Sequence, residues 1–115
     1  MRDWATIRER YLRDGLPIRL GGLAANLGRI RSLAARGASD EVVESLMDES
    51  KHFIEWTAAE AEVNAAAELV ELQVELAGWQ RSWPQARDDS ALRQRVAKKA
   101  GIWSERVLGM SGLLG

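Results

Sequence analysis

From Asp40 to Trp83 the chain carries no proline, and no glycine before Gly78. Ala, Glu, Leu, Gln, Met and Lys, all strong helix formers, dominate it. Val43, Met47, Ser50, Ile54, Thr57, Ala61, Ala65, Leu69, Leu72, Leu76, Trp79 and Trp83 follow one another at steps of three and four, which marks one face of an α-helix. A second stripe lies roughly opposite: Trp56, Ala59, Val63, Ala66, Ala67, Val70, Val74 and Ala77. A helix apolar on one side packs on one neighbour, whereas a helix apolar on two sides is covered on both. The second stripe is therefore expected to meet another chain.

Two readings of this stretch differ in consequence. Thr57-Ala58-Ala59-Glu60 has the form of a capping box, with Trp56 before it. A break near residue 57 would fold the chain into a monomeric four-helix bundle. No glycine, proline or polar turn cluster marks the join, however, and connections ordinarily use such residues. The sequence thus favours one continuous or mildly kinked helix over about 40–83. At ~1.5 Å per residue it would reach ~65 Å, a rod that needs a partner.

The remainder reads as one helical domain over residues 1–115. With no cysteine, disulfides and cysteine-metal sites are excluded. The opening Met-Arg-Asp-Trp-Ala is polar and lacks an apolar signal region. No run approaches the ~20 apolar residues of a membrane span. A cytoplasmic setting and no membrane partner are expected. The net charge of −1 conceals a strong asymmetry: residues 1–36 carry +5, residues 37–77 carry −10 and residues 78–115 carry +4. Basic flanks folding back on an acidic centre explain this most simply. A nucleic-acid partner is not expected, because the pI is about 5.9 and no basic cluster is interleaved with aromatics.

Asp3–Asp14 reads as a short first helix with Trp4, Ile7 and Tyr11 on one side, closed by Gly15-Leu16-Pro17. A second helix over about 17–36 presents Leu16, Leu20, Leu23, Leu27, Ile30 and Ala34. Its Gly21, Ala25, Gly28 and Ser32 form a side of small residues that lets another backbone come close. Gly37 suits a C-cap and Ser39 an N-cap. Pro84 is expected to stop the central helix. Asp89 or Ser90 caps a last helix over about 90–111, with Leu92, Val96, Ala100, Trp103, Val107 and Met110 inward. Residues 112–115 are expected to be disordered.

Few residues point to chemistry. Glu49 and His52, three apart, have the form of one half of a di-iron carboxylate site. The chain has a single histidine, so only two copies brought together could complete such a site. Glu55, Glu60 or Glu71 would be the further ligands. The ordinary alternative is a solvated helix surface. Glu68, Glu71 and Glu75 read as a charged face rather than as carboxylates across a cleft, with Glu68 and Glu75 near arginines such as Arg29, Arg31, Arg93 or Arg95. No nucleophilic triad, enzymatic activity or cofactor is expected. Five tryptophans suit packing and, at Trp56, an interaction surface.

The segments Arg10–Leu20, Glu49–Ala58 and Ile102–Leu108 resemble a family of small uncharacterised cyanobacterial all-helical proteins. The resemblance implies a bacterial setting, cytosolic or facing the cytoplasm, and brings no activity, cofactor or site residues. The combined expectation is an all-α antiparallel helical bundle on a long central helix. Two chains would pair through the alanine-rich middle, Thr57–Glu68, using the second stripe from Trp56 and Ala59 to Val74. The function expected is non-enzymatic protein–protein interaction or scaffolding by a homodimer, with room for a further protein partner. The alternative is a metal-binding dimer using Glu49 and His52.

Overall fold

The computed structural model describes residues 2–113, and every regular element among them is helical. Helix α1 spans Trp4–Leu12, α2 Leu16–Arg36, α3 Asp40–Thr57, α4 Val63–Ala86 and α5 Ser90–Ser111. One turn of 3-10 helix, Ala58–Glu60, joins α3 to α4.

Most ends are capped as their residues dictate. The Asp3 carboxylate accepts from the Thr6 amide, and that of Asp89 accepts from the amides of Ala91 and Leu92. Pro17 lies in the first turn of α2, where its missing N–H costs nothing. Gly37 ends α2 in the left-handed region at φ 65°, and its N–H donates to the Ala34 carbonyl. Ser39 occupies the N-cap of α3 but is itself left-handed, at φ 56°, and its hydroxyl makes no cap bond. Asp40 and Glu41 in the first turn supply the negative charge instead.

Side-chain bonds between neighbouring helices give the topology. Asn26 reaches Glu49 and Arg19 reaches Glu60, so α2 and α3 are antiparallel. The Trp83 indole donates to the Asp40 carbonyl while Lys51 donates to Gln80, so α3 and α4 are antiparallel. Glu75 accepts from Trp103 and Glu68 from Arg106 across α4 and α5. Gln94 donates to the Ala35 carbonyl and Ser104 to the Ala24 carbonyl, which closes the ring between α5 and α2. The result is an up-down-up-down four-helix bundle with α1 laid against α3. The expected charge pairing between basic flanks and acidic centre is present as Arg2–Glu49, Arg19–Glu60 and Arg106–Glu68.

The first stripe of the Asp40–Trp83 stretch is buried along nearly its whole length. Val43, Met47, Ser50, Ile54, Thr57, Leu69, Leu72, Leu76, Trp79 and Trp83 all face the core. Leu20, Leu23, Leu27, Ile30 and Ala34 of α2, and Val96, Ala100, Trp103 and Val107 of α5, complete it. The small side of α2 is only partly covered: Ala25 and Ser32 stay exposed, a Cβ on Gly28 would sit in ordinary contact, 3.7 Å from the Ser104 hydroxyl of α5, and one on Gly21 would lie 2.8 Å from a methyl of Leu113, just beyond α5.

The continuous central helix is overturned. The chain turns back between Thr57 and Val63, and the longest dimension of the molecule is 38 Å. The break near residue 57 is the arrangement found, but not by the expected capping box. Thr57 is the last residue of α3 and caps nothing with its side chain; Glu62 caps α4 by accepting from the amides of Asn64 and Ala65. A side chain of α2 braces the break. Arg19 donates to the Trp56 carbonyl at the end of α3 and grips the Glu60 carboxylate with two nitrogens at 2.9 Å. A guanidinium on a terminal carbonyl substitutes for the next helical N–H.

Pro84 does not stop α4, which continues to Ala86. Burial of Trp83 and Ala86 on either side, with the Trp83–Asp40 bond, holds the last turn helical against the local preference. Of the expected disordered tail, Gly112 terminates α5 at φ 76° and Leu113 follows within the same turn, while residues 114–115 lie outside the described residues.

Candidate functional site

Two polar side chains interrupt the apolar spacing of α2. Leu16, Arg19, Leu23, Asn26 and Ile30 form one run of threes and fours, and Arg19 and Asn26 are buried within it at 5 % and 8 % exposure. Each finds a partner on the next element: Asn26 donates to Glu49 at 3.0 Å, and Arg19 donates to Glu60 and to the carbonyls of Asp14 and Trp56. Tyr11 joins this group, its hydroxyl donating to the Arg19 carbonyl at 2.7 Å and lying 3.4 Å from the Thr57 hydroxyl. Burial pushes the Tyr11 phenol up to about 12. These bonds fix the join of α1, α2 and α3 and leave no free polar group aimed at a ligand. The sequence signal for Arg19 and Asn26 was present in their helical spacing among leucines.

The aromatic cluster beneath α1 holds His52. The Trp4 indole stacks on the imidazole with centroids 3.9 Å apart, and Trp56 meets both rings at an angle. Tyr11 stacks on Phe53 at 3.9 Å. His52 Nδ1 donates to the Asp48 carbonyl at 2.9 Å. Glu49 turns instead toward Asn26 and Arg2. Among the described residues no three His, Cys, Asp or Glu side chains gather in a way that could hold a metal ion. Within one chain the Glu49–His52 pair is thus divided between two packing tasks. Trp56, expected on the outer stripe, belongs to this cluster.

The carboxylates of α4 are likewise occupied or dispersed. Glu75 accepts from the Trp103 indole at 2.6 Å, and Glu68 pairs with Arg106, whose guanidinium lies over the Trp103 ring at 3.9 Å. The partners are Arg106 and Trp103 rather than the arginines expected. Glu71 is exposed. The groove between α1 and α3, about 310 Å³, is lined by Ile7, Arg10, Tyr11, Asp14, Glu49 and Phe53, and its Glu49 is already held.

What remains uncovered is the outer face of α4. The break at residues 57–62 splits the second stripe: Ala59 is exposed in the 3-10 turn, apart from Trp56. From Val63 onward the stripe is intact on one helix. Val63 is 80 % exposed, Val70 51 % and Val74 69 %, with Ala67 and Gly78 exposed and Ala66 and Ala77 half-buried beside them. No charge interrupts the line from Val63 through Ala67, Val70 and Val74 to Ala77; Arg81 stands at its end and Glu71 at its flank. Other exposed apolar side chains, such as Ile18 and Ile102, lie on other helices. Isolated ones are ordinary; here several stand in a row on one helix.

No family model matches the chain, and no curated protein or solved structure matches it. Among the described residues no helix is long and apolar enough to cross a membrane.

Proposed function

We propose that this chain is a non-enzymatic interaction protein that self-associates through the outer face of α4. One observation supports this above the others: three valines and an alanine, at helical spacing on a single helix, stand in water although the same helix already buries its opposite face. Valine has weak helix propensity, and an exposed helix position is ordinarily filled by a charged or polar residue. Three such positions on one line are accounted for by a partner that covers them.

Light scattering after size exclusion, over a range of concentrations, tests the reading. Wild-type protein is expected to approach twice the chain mass as concentration rises. Val70→Lys with Val74→Lys is expected to hold the mass at one chain with unchanged helicity, since neither side chain contributes to the core. A wild-type chain that stays monomeric at every concentration would overturn the proposal.

A further inference from the structure

Resting on that reading, we infer that the two copies pair α4 against α4 in antiparallel orientation, with the two-fold axis crossing the outer face at the level of residue 72. The outer line is Val63, Ala67, Val70, Val74, Ala77 and Arg81, in alternating steps of four and three. That is the a/d spacing of a two-helix seam. It reads nearly the same from both ends: Val70 and Val74 are equidistant from Leu72, Ala67 and Ala77 likewise, and only the outermost pair, Val63 and Arg81, differs. A two-fold interface requires each patch to complement itself, with residue i meeting j and j meeting i. In this register Val70 meets the partner's Val74, Ala67 the partner's Ala77 and Val63 the partner's Arg81. Every member of the line is covered, and a shift by one heptad would leave its ends bare.

Charge chooses between the two orientations. Glu62 stands at the N-terminal end of α4 and Arg81 near the C-terminal end, while Glu60 is already paired with Arg19 and Arg87 is followed by Asp88 and Asp89. Parallel pairing would set like charges together at both ends and align the helix dipoles. Antiparallel pairing brings Arg81 over the partner's acidic end twice and opposes the dipoles. Ala66 and Gly78, flanking the line at equal distance from Leu72, leave room for the helices to approach; a Cβ on Gly78 would meet nothing within 4 Å. Glu71 lies beside the axis near its own copy. With one helix per chain in the contact, the dimer is expected to be reversible rather than obligate.

The chain has no cysteine, so single cysteines report orientation cleanly. Ala67→Cys and an affinity-tagged Ala77→Cys are mixed and oxidised at a concentration where the wild type is dimeric. Antiparallel pairing predicts that the mixed 67–77 disulfide dominates. The two copies of residue 67 would be displaced by about 15 Å along the axis, beyond the ~7 Å Cα reach of a disulfide. The double variant Ala67→Cys with Ala77→Cys is expected to give a doubly bridged dimer. Dominant homodisulfides, or a statistical mixture, in a protein that is dimeric by light scattering would overturn the antiparallel arrangement and leave the self-association reading standing. A wild type monomeric at all concentrations would overturn both.

Discussion

Arg19 of α2 grips Glu60 with both terminal nitrogens at 2.9 Å, and the same guanidinium holds the Trp56 carbonyl. A buried cation thereby ends one helix and anchors the turn that begins the next.

Removing it should therefore loosen the α3–α4 turn rather than the core. Arg19→Met keeps the apolar stem but leaves the Asp14 and Trp56 carbonyls without their donor. We expect a loss of about 2–3 kcal/mol in urea unfolding. Glu60→Gln should cost less, because the Glu60 side chain is 57 % exposed and its partner keeps two carbonyl contacts. Equal costs for the two variants would mean that the ion pair, and not the carbonyl capping, holds the turn.

Acid should weaken the same place. The bond from Arg19, and then its charge, hold the Glu60 carboxyl below its ordinary 4.5. Bonds from the Thr6 hydroxyl and amide hold Asp3 below 3.8. Both folded values are depressed, so their stabilisation is full above the ordinary carboxylate range and is lost as pH falls through the folded values. Urea midpoints measured downward from neutral pH should decline through this window. In Arg19→Met the decline should be shallower, since Glu60 no longer contributes.

The alkaline side depends on one group. Tyr11 is the only tyrosine, and burial moves its phenol from 10.0 to about 12. The neutral form is favoured in the folded state, so this contribution is intact below 10.0 and disappears as pH climbs to about 12. Phenolate absorbance should rise late, together with loss of helicity, and revert to an ordinary titration in urea. Tyr11→Phe keeps the stack on Phe53, gives up the bond to the Arg19 carbonyl, and should cost about 1 kcal/mol.

Helix α1 has nine residues, too few to persist alone in water. Its hold is the stack of Trp4 on His52 and of Tyr11 on Phe53. Trp4→Ala should let the amides of α1 exchange at rates near those of a free peptide while α2 to α5 stay protected. Retained protection in α1 would show that Tyr11 suffices to dock it.

Much of this fold can be read from the residues. The inward stripes of α2, α4 and α5, and the caps at Gly37 and Asp89, follow from spacing and local chemistry. The turn at residues 57–62 was legible only as the alternative reading, because every residue there is compatible with a helix. The end of α3 is braced by a side chain 37 positions earlier in sequence, a tertiary contact that local patterns do not carry. That turn also separated Trp56 from Val63 and divided a stripe that looked continuous. The outer valines of α4 were legible as a second apolar side, while the Trp4–His52 stack depended on where α1 comes to rest.

The Ser104 hydroxyl meets the Ala24 carbonyl across 80 positions of sequence, in the seam between α2 and α5. Among the described residues the first long helix thus pairs with the last, α5. Helices α2, α3 and α4 follow one another directly, but the side of α2 at Ala24 and Gly28 stays bare until α5 closes over it. Closing so long a loop comes late and costs chain entropy before any contact rewards it. The seam between α2 and α5 is therefore expected to be the last part of the bundle to form, after the shorter-range contacts of α2 with α3 and of α3 with α4.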